Sequence, residues 1–246
     1  MLPLRKYIYM DMNSEKVLIC CPTAQVKEYC IDDWLLNVSN FTYNNKSIYL
    51  CDNSETLDFY TELKHKLKVK TEFDMCGLDR VSPNNKSIKQ AIALSHEKCR
   101  QYAIDNKFDY MLHLECDLFP PLNIIERLLD SNKRIVGATY FIELGSESKL
   151  MIQESEHFGN AHRSSYNLDN ADLSFIDGTT KQVFSCGLGC VLIHKSIFNK
   201  YPFRYEEGAV VHPDSFFYGD LKQYNEKVFV DTSIHVKHNN QSLIRI

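Results

Sequence analysis

The stretch Lys16 to Thr23, KVLICCPT, is apolar without alternation and stops at Pro22. A strand with one wet face alternates apolar and polar residues. An unbroken apolar run is buried on both faces, which is the pattern of a parallel sheet covered by helices on either side. KSIYLCDNS (Lys46 to Ser54), YMLHLECDLFPP (Tyr110 to Pro121) and RIVGATYF (Arg134 to Phe141) repeat the pattern. Helical spacing lies between these runs. Tyr29, Trp34, Leu35 and Val38 mark one helix, and Glu55 to Leu67 a second, with Ser54 as its N-cap. Ile88, Ile92, Leu94 and Cys99 form the predicted inner face of a third helix, and Ile125, Leu128 and Leu129 that of a short fourth. KVKTEFD (Lys68 to Asp74) reads as a third short strand. Gln182 to Phe198 reads as strand, glycine turn, strand and helix. Pro213 to Asn225 is a predicted helix, and Lys227 to His238 a closing strand. Residues 143–182 lose periodicity and are polar, as expected of a functional lid or a disordered loop. No repeat and no clear linker interrupts the order, so α/β alternation predicts one domain over residues 1–246 with a largely parallel sheet.

Bulk properties narrow the function classes. Hydrophobic residues make up 44% and charged residues 24%, so a sizeable core needs no disulfides. A formal net charge of −4 disfavours a polyanion-binding surface. The nine cysteines include no CxxC pair, and several lie in apolar runs, so free thiols in a reducing, cytoplasmic setting are expected. Cys186 and Cys190 are four apart but lack two further ligands at zinc spacing. The first sixteen residues hold no long apolar segment of a signal peptide, and no run approaches the ~20 residues of a membrane span. The lysine- and asparagine-heavy composition suggests an AT-rich genome such as that of a phage, a virus or a low-GC bacterium. For a viral protein the compartment would be the cytoplasm of a bacterial host.

The strand ends carry the chemistry. In open α/β sheets ligands gather outside the carboxyl ends of strands. Here those ends read Pro22-Thr23, Asp52-Asn53-Ser54 and Glu115-Cys116-Asp117, and His238 ends the last strand. Glu115 and Asp117 stand two apart, fixed by Pro120-Pro121. Carboxylates with an imidazole suit Mg2+ or Mn2+, with phosphate oxygens completing the shell. Taken alone, the tripeptide reads equally as a solvated turn, and Asp214 as an ordinary acidic residue in a first helical turn.

The order as a whole resembles a GT-A glycosyltransferase of the broad family-2-like group of small bacterial, archaeal and phage enzymes, over about Val17 to His238. DNS (Asp52 to Ser54) is similar to the nucleoside-binding element. DYMLHLECDLFPPLNIIERLLDSNKRIVGATYF resembles the stretch from the DxD strand onward, and SCGLGCVLIHKSIF the glycine-containing strand pair beside the sugar. HPDSFFYGDLKQYNEKVFVDTSIHVKH resembles the acidic helix start followed by the last strand with its metal-binding histidine. The resemblance implies a single Rossmann-like GT-A domain with a mostly parallel central mixed sheet flanked by helices. Its nucleotide-binding part would span about 16–141 and its acceptor or lid part about 142–246. The implied activity is metal-dependent transfer of a sugar from a nucleotide-sugar donor, with a UDP-sugar favoured, to an acceptor hydroxyl, with inversion. The acceptor would be a glycan, a protein or a modified nucleic-acid base.

The resemblance also implies residue roles. Asp117 and His238 would hold Mn2+ or Mg2+. Glu115 would touch the metal or the donor ribose. Asp52 would hydrogen-bond the base or ribose, with Pro22, Thr23 and Asn53 lining the nucleoside side. Gly187 and Gly189 would admit the donor sugar or acceptor, and Asp214 would be the general base. Two departures stand out: ExD replaces DxD, and the helix before it reads LSHEKCR, without the family's arginine in its usual place. His96, Lys98 and Arg100 are the candidates to face the diphosphate instead. The other readings are a sugar-phosphate nucleotidyltransferase, against which CCPTAQVKEYC lacks a glycine-rich phosphate loop, and a non-catalytic module that binds nucleotide sugars.

Overall fold

The computed structural model describes residues 15–70, 76–84, 86–144, 147–153, 166–167, 172–209 and 211–239. The strands are β1 (Val17–Thr23), β2 (Lys46–Asp52), β3 (Cys76–Arg80), β4 (Tyr110–Leu114), β5 (Leu118–Phe119), β6 (Ile135–Thr139), β7 (Phe141–Leu144), β8 (Glu147–Leu150), β9 (Tyr166–Asn167), β10 (Thr180–Val183), β11 (Cys190–His194), β12 (Val228–His235) and β13 (Lys237–His238). The helices are α1 (Glu28–Ser39), α2 (Asp58–Lys70), α3 (Ile88–Asp105), α4 (Ile124–Asp130), α5 (Lys195–Phe198) and α6 (Pro213–Gln223).

Eight strands form one mixed sheet in the order β10-β12-β6-β11-β4-β1-β2-β3. β1 runs parallel to β2 and β4, β2 to β3, and β6 to β12. β11 is inserted antiparallel between β4 and β6, so its first residue, Cys190, lies beside the last residue of β4, Leu114. The carboxyl ends of β1, β2, β3, β4 and β6 therefore share one edge with the start of β11.

Both faces of the sheet are covered, as the unbroken apolar runs require. Val17, Ile19 and Cys21 of β1 pack on one face with Trp34 and Leu35 of α1, Phe59 and Leu63 of α2 and Ile125 of α4. Leu18 and Cys20 pack on the other with Cys99 and Ala103 of α3, Ile197 of α5 and Phe217 of α6. A side chain such as Trp34 or Leu18, fully enclosed, contributes on the order of 2 kcal/mol. The eight cysteines whose side chains are described are free and buried, small apolar members of these two layers.

Several local expectations are corrected. Helix α2 starts at Asp58, so Ser54 is not its N-cap; the Ser54 hydroxyl instead accepts from the Gln25 N–H and donates to Asp52. Lys68 and Lys70 belong to α2, Thr71 to Asp74 lie outside the described residues, and the third strand begins at Cys76. α3 turns Ala91, Ala93, Ser95, His96, Cys99 and Ala103 inward, while Ile88 and Leu94 are exposed. Small side chains let this helix lie close on the sheet, so its inner face is small rather than strongly apolar. The stretch 143–182 is not structureless where described: the antiparallel strands β7, β8 and β9 form a separate sheet, and β10 joins the main one. Its residues 145–146, 154–165 and 168–171 lie outside the described set.

Candidate functional site

Two short strands make the central contact. After Asp117 the chain forms β5, which pairs antiparallel with β13, setting His238 opposite Leu118. β12 ends at His235, and β13 leaves the main sheet to reach the ExD turn. The Asn239 N–H then closes on the Asp117 carbonyl at 2.8 Å. The result puts His238 Nε2 3.2 Å from Asp117 Oδ2. His238 Nδ1 lies 2.7 Å from the Phe141 carbonyl, which can only accept, so this nitrogen carries a hydrogen. Nε2–H of the imidazolium then donates to Asp117, and losing that proton would leave the Nε2 lone pair on the side of the carboxylate, the orientation that a shared cation uses.

The Lys27 ammonium also contacts Asp117 Oδ2. Burial pushes the Asp117 carboxyl up, but the His238 hydrogen bond and the Lys27 charge hold it below the usual carboxylate value. Burial likewise opposes the His238 imidazolium, and Asp117 outweighs it, so the pKa of His238 is raised. Glu115 is pushed up to about 7 by burial and by Asp117. The ExD pair thus holds one firm negative charge and one that is partly protonated near neutrality.

Asp117 Oδ1 is buried and makes no hydrogen bond. An orphaned carboxylate oxygen beside an oriented imidazole nitrogen fits a hard divalent cation. Among the described residues no three His, Cys, Asp or Glu side chains converge as a complete ligand set. Such a cation would therefore take the remaining ligands from elsewhere, as Mg2+ does with substrate phosphates.

The nucleoside-side candidates are knitted together at the ends of β1, β2 and β3. The Asn53 N–H bonds the Thr23 carbonyl at 2.9 Å, and Val81 N–H the Asp52 carbonyl at 2.8 Å. Asp52 is fully enclosed: Oδ1 accepts from the Ser54 N–H and hydroxyl, and Oδ2 lies 3.4 Å from Arg80 Nε. Arg80 in turn donates to the carbonyls of Ser54, Glu55 and Thr56. Pro22 and Asn53 are half-buried at this edge, and Thr23 is buried with its hydroxyl 3.3 Å from Cys116 Sγ.

The glycine turn stands beside the ExD pair, since the Glu115 N–H bonds the Gly189 carbonyl at 2.8 Å. Gly187 has φ of +65°, the left-handed region, and its carbonyl accepts from the Tyr218 hydroxyl at 2.6 Å. A Cβ on Gly189 would lie 2.6 Å from both Tyr140 and Leu118. Tyr140 and Leu118 thus fill the space that the missing side chain leaves. Asp214, in the first turn of α6 after His212 and Pro213, lines a cavity of about 70 Å³ with Gln153, Ser185, Gly187 and Tyr218. His212 Nδ1 lies 3.3 Å from Asp214 Oδ1.

The expected diphosphate partners are committed elsewhere. Lys98 pairs with Asp79 at 2.9 Å, and Arg100 binds Glu97 and the Phe198 carbonyl. His96 is buried, with Nδ1 2.6 Å from His113 Nε2. His113 donates Nδ1–H to the Leu188 carbonyl at 2.8 Å, so it supports the glycine turn from beneath. The sequence reading missed this pair, along with Lys27 and Arg80. Burial pushes His113 down to about 4, and burial with His113 and His212 lowers His96. Both rings are therefore held neutral. A depressed folded-state pKa stabilises above the unfolded value and loses that stabilisation as pH falls toward the folded one. Stability should be full above about pH 6.5 and fall by roughly 3 kcal/mol through His113 on acidification toward pH 4. Urea titrations between pH 7.5 and 4.5 check this, with His113→Gln expected to flatten the slope. Equal slopes for the two proteins would remove the claim.

A mostly parallel eight-stranded sheet with β11 antiparallel in its interior and β10 antiparallel at its edge, helices on both faces and an acidic turn at its carboxyl edge matches a GT-A glycosyltransferase fold, and this chain has it. Among solved structures the chain is similar to S. aureus TarS 1–349 in complex with UDP, at 11% identity and a TM-score of 0.56, over 89% of this chain and 60% of that one. The same fragment in complex with UDP-GlcNAc matches at 10% identity and a TM-score of 0.56, over 94% of this chain and 61% of that one. S. aureus TarS in a longer form matches at 9% identity and a TM-score of 0.56, over 92% of this chain and 36% of that one. The chain thus spans under two thirds of these neighbours. No family model matches it, and no curated protein matches it in sequence. No described helix is long and apolar enough to cross a membrane.

Proposed function

We propose that this chain is a metal-dependent glycosyltransferase that moves a sugar from a nucleotide-sugar donor to an acceptor hydroxyl with inversion. The observation that carries the reading is His238 Nε2 facing Asp117 at the carboxyl edge of a GT-A sheet, next to an unpartnered Asp117 Oδ1. The UDP and UDP-GlcNAc of the similar structures favour a UDP-sugar. Pro22, Thr23 and Asn53 receive the nucleoside, and Asp52 acts by holding Ser54 and Arg80 in place. Asp117 and His238, together with Glu115, would hold Mn2+ or Mg2+, which when bound would neutralise charge on the departing diphosphate.

The acceptor hydroxyl enters beside Asp214, in the cavity lined by Gln153, Ser185 and Gly187. Asp214 takes its proton as the oxygen attacks the anomeric carbon. The bond from that carbon to the diphosphate oxygen breaks, and the nucleoside diphosphate leaves. The glycine turn, held by Tyr218 and His113, forms the wall between the two halves. In this reading residues 16–141 carry the donor, residues 142–246 the acceptor, and both belong to one domain. The acceptor is a hydroxyl of a glycan, a protein or a modified nucleic-acid base. A cytoplasmic setting accords with the buried free thiols.

A release assay tests the reading. Incubated with a panel of nucleotide sugars, the protein should liberate nucleoside diphosphate from a UDP-sugar with Mn2+ and not with EDTA. UDP binding without release under any condition would mark a binding module, and neither binding nor release would remove the reading.

A further inference from the structure

We propose that Lys27 is the diphosphate-binding cation of this chain: its ammonium neutralises Asp117 until the donor arrives, and turns to the diphosphate oxygens when a divalent ion takes the carboxylate. The inference rests on the sugar-transfer reading above and names a residue that reading does not use.

Position is the first argument. Lys27 closes the single turn Gln25–Lys27 that follows β1 and leads into α1, with its N–H on the Ala24 carbonyl at 2.8 Å. This places its side chain at the carboxyl edge of the sheet, above the ExD turn. The side chain is 26% exposed while that of Asp117 is 1% exposed, so solvent reaches the lysine far more than the carboxylate it contacts.

The second argument is charge. A nucleoside diphosphate brings at least two negative charges to an edge that already holds the carboxyl groups of Asp117 and Glu115. The cations that the sequence offers for this task are engaged elsewhere. Lys98 is on Asp79, Arg100 on Glu97, Arg80 on the carbonyls after β2, and His96 is sealed against His113. Lys27 is the lysine that the fold sets on the acidic pair. Lysine suits an exchange of this kind: a compact charge with three donors on a flexible four-carbon stem can leave one oxygen for another without moving the backbone.

The two partners of Asp117 also differ in geometry. His238 is held through its ring by its bond to the Phe141 carbonyl, whereas Lys27 reaches Asp117 along a flexible four-carbon stem. The lysine is the partner that gives way when a metal takes Asp117. Lys27 and the metal are then competitors on the carboxylate before the donor binds and allies on the diphosphate afterwards.

Calorimetry separates these roles. UDP, uridine and Mn2+ alone are titrated into the wild type, Lys27→Met and Lys27→Arg. With saturating Mn2+, Lys27→Met should weaken UDP by about 10- to 100-fold, the effect of losing charge-assisted hydrogen bonds, and leave uridine unchanged. Lys27→Arg should restore most of the UDP affinity. With Mn2+ alone, Lys27→Met should bind the ion more tightly than the wild type. UDP binding to Lys27→Met at wild-type affinity with saturating Mn2+ would overturn the proposal. So would equal losses of UDP and uridine, which would mark a structural role. If the wild type bound no UDP with or without Mn2+, the sugar-transfer reading would fail first and this inference with it.

Discussion

Asp117→Asn is expected to reduce sugar transfer by at least about 100-fold while leaving the protein folded, since a direct metal ligand should matter more than the outer-shell partners whose loss already reaches ~10–100-fold. The substitution keeps the shape and removes the charge that His238 and Lys27 share. The stability change should be modest. Asp117 is held below the usual carboxylate pKa by those partners, so the charged form stabilises the fold above that pKa. The loss should be on the order of 1–2 kcal/mol, because Lys27, a quarter exposed, can turn to water instead of staying buried without a partner. Mn2+ titration and a melting curve on the same sample check both halves. Unchanged activity would remove the metal-site claim, and an unfolded protein would show that Asp117 is chiefly structural.

Asp214→Asn should act on the other substrate. Loss of a general base lowers the rate of the chemical step by roughly 10²–10⁴-fold. The Asn side chain can still line the acceptor cavity, so UDP affinity should stay at the wild-type value, and the effect should appear in kcat. Asp214 lies at the N-terminus of α6, where an acidic residue also stabilises the helix by about 0.3–1 kcal/mol. A variant that lost only that increment of stability, with kcat intact, would assign Asp214 to the helix and not to the reaction.

The central strands were readable because burial on both faces leaves an unbroken apolar run, as in KVLICCPT and YMLHL, which no amphipathic helix imitates. β3 was misplaced because an edge strand of five residues, CGLDR, carries no such run, and because the lysine-rich end of α2 alternates by accident. α3 was found, but its inner face was misjudged. Hydropathy favours Ile88 and Leu94 as core, whereas close packing selects Ala91, Ala93 and Ala103, and nothing in a single helix reports how near its neighbour lies.

The acidic pair and His238 were legible as strand-end residues, yet the contact between them depends on β13 leaving the main sheet to pair with β5, a turn of the chain that alternation across Lys227 to His238 concealed. Lys27 and Arg80 were missed because each acts across elements: one reaches from the start of α1 to the end of β4, the other from β3 back over the residues after β2. Lys27 did leave a trace, as the single basic residue in CCPTAQVKEYC directly after a strand whose end faces the site. His96 and His113 left a weaker one: imidazoles in the middle of an apolar strand and on a small-residue helix face must find each other or a carbonyl.

The most direct test of the account is a crystal grown with UDP and MnCl2, measured at the manganese absorption edge. The account predicts one anomalous peak within bonding distance of Asp117 and His238 Nε2, with the diphosphate on its open side and the uracil near Asn53. Manganese or the diphosphate found away from Asp117, with His238 still bound only to the carboxylate, would contradict it.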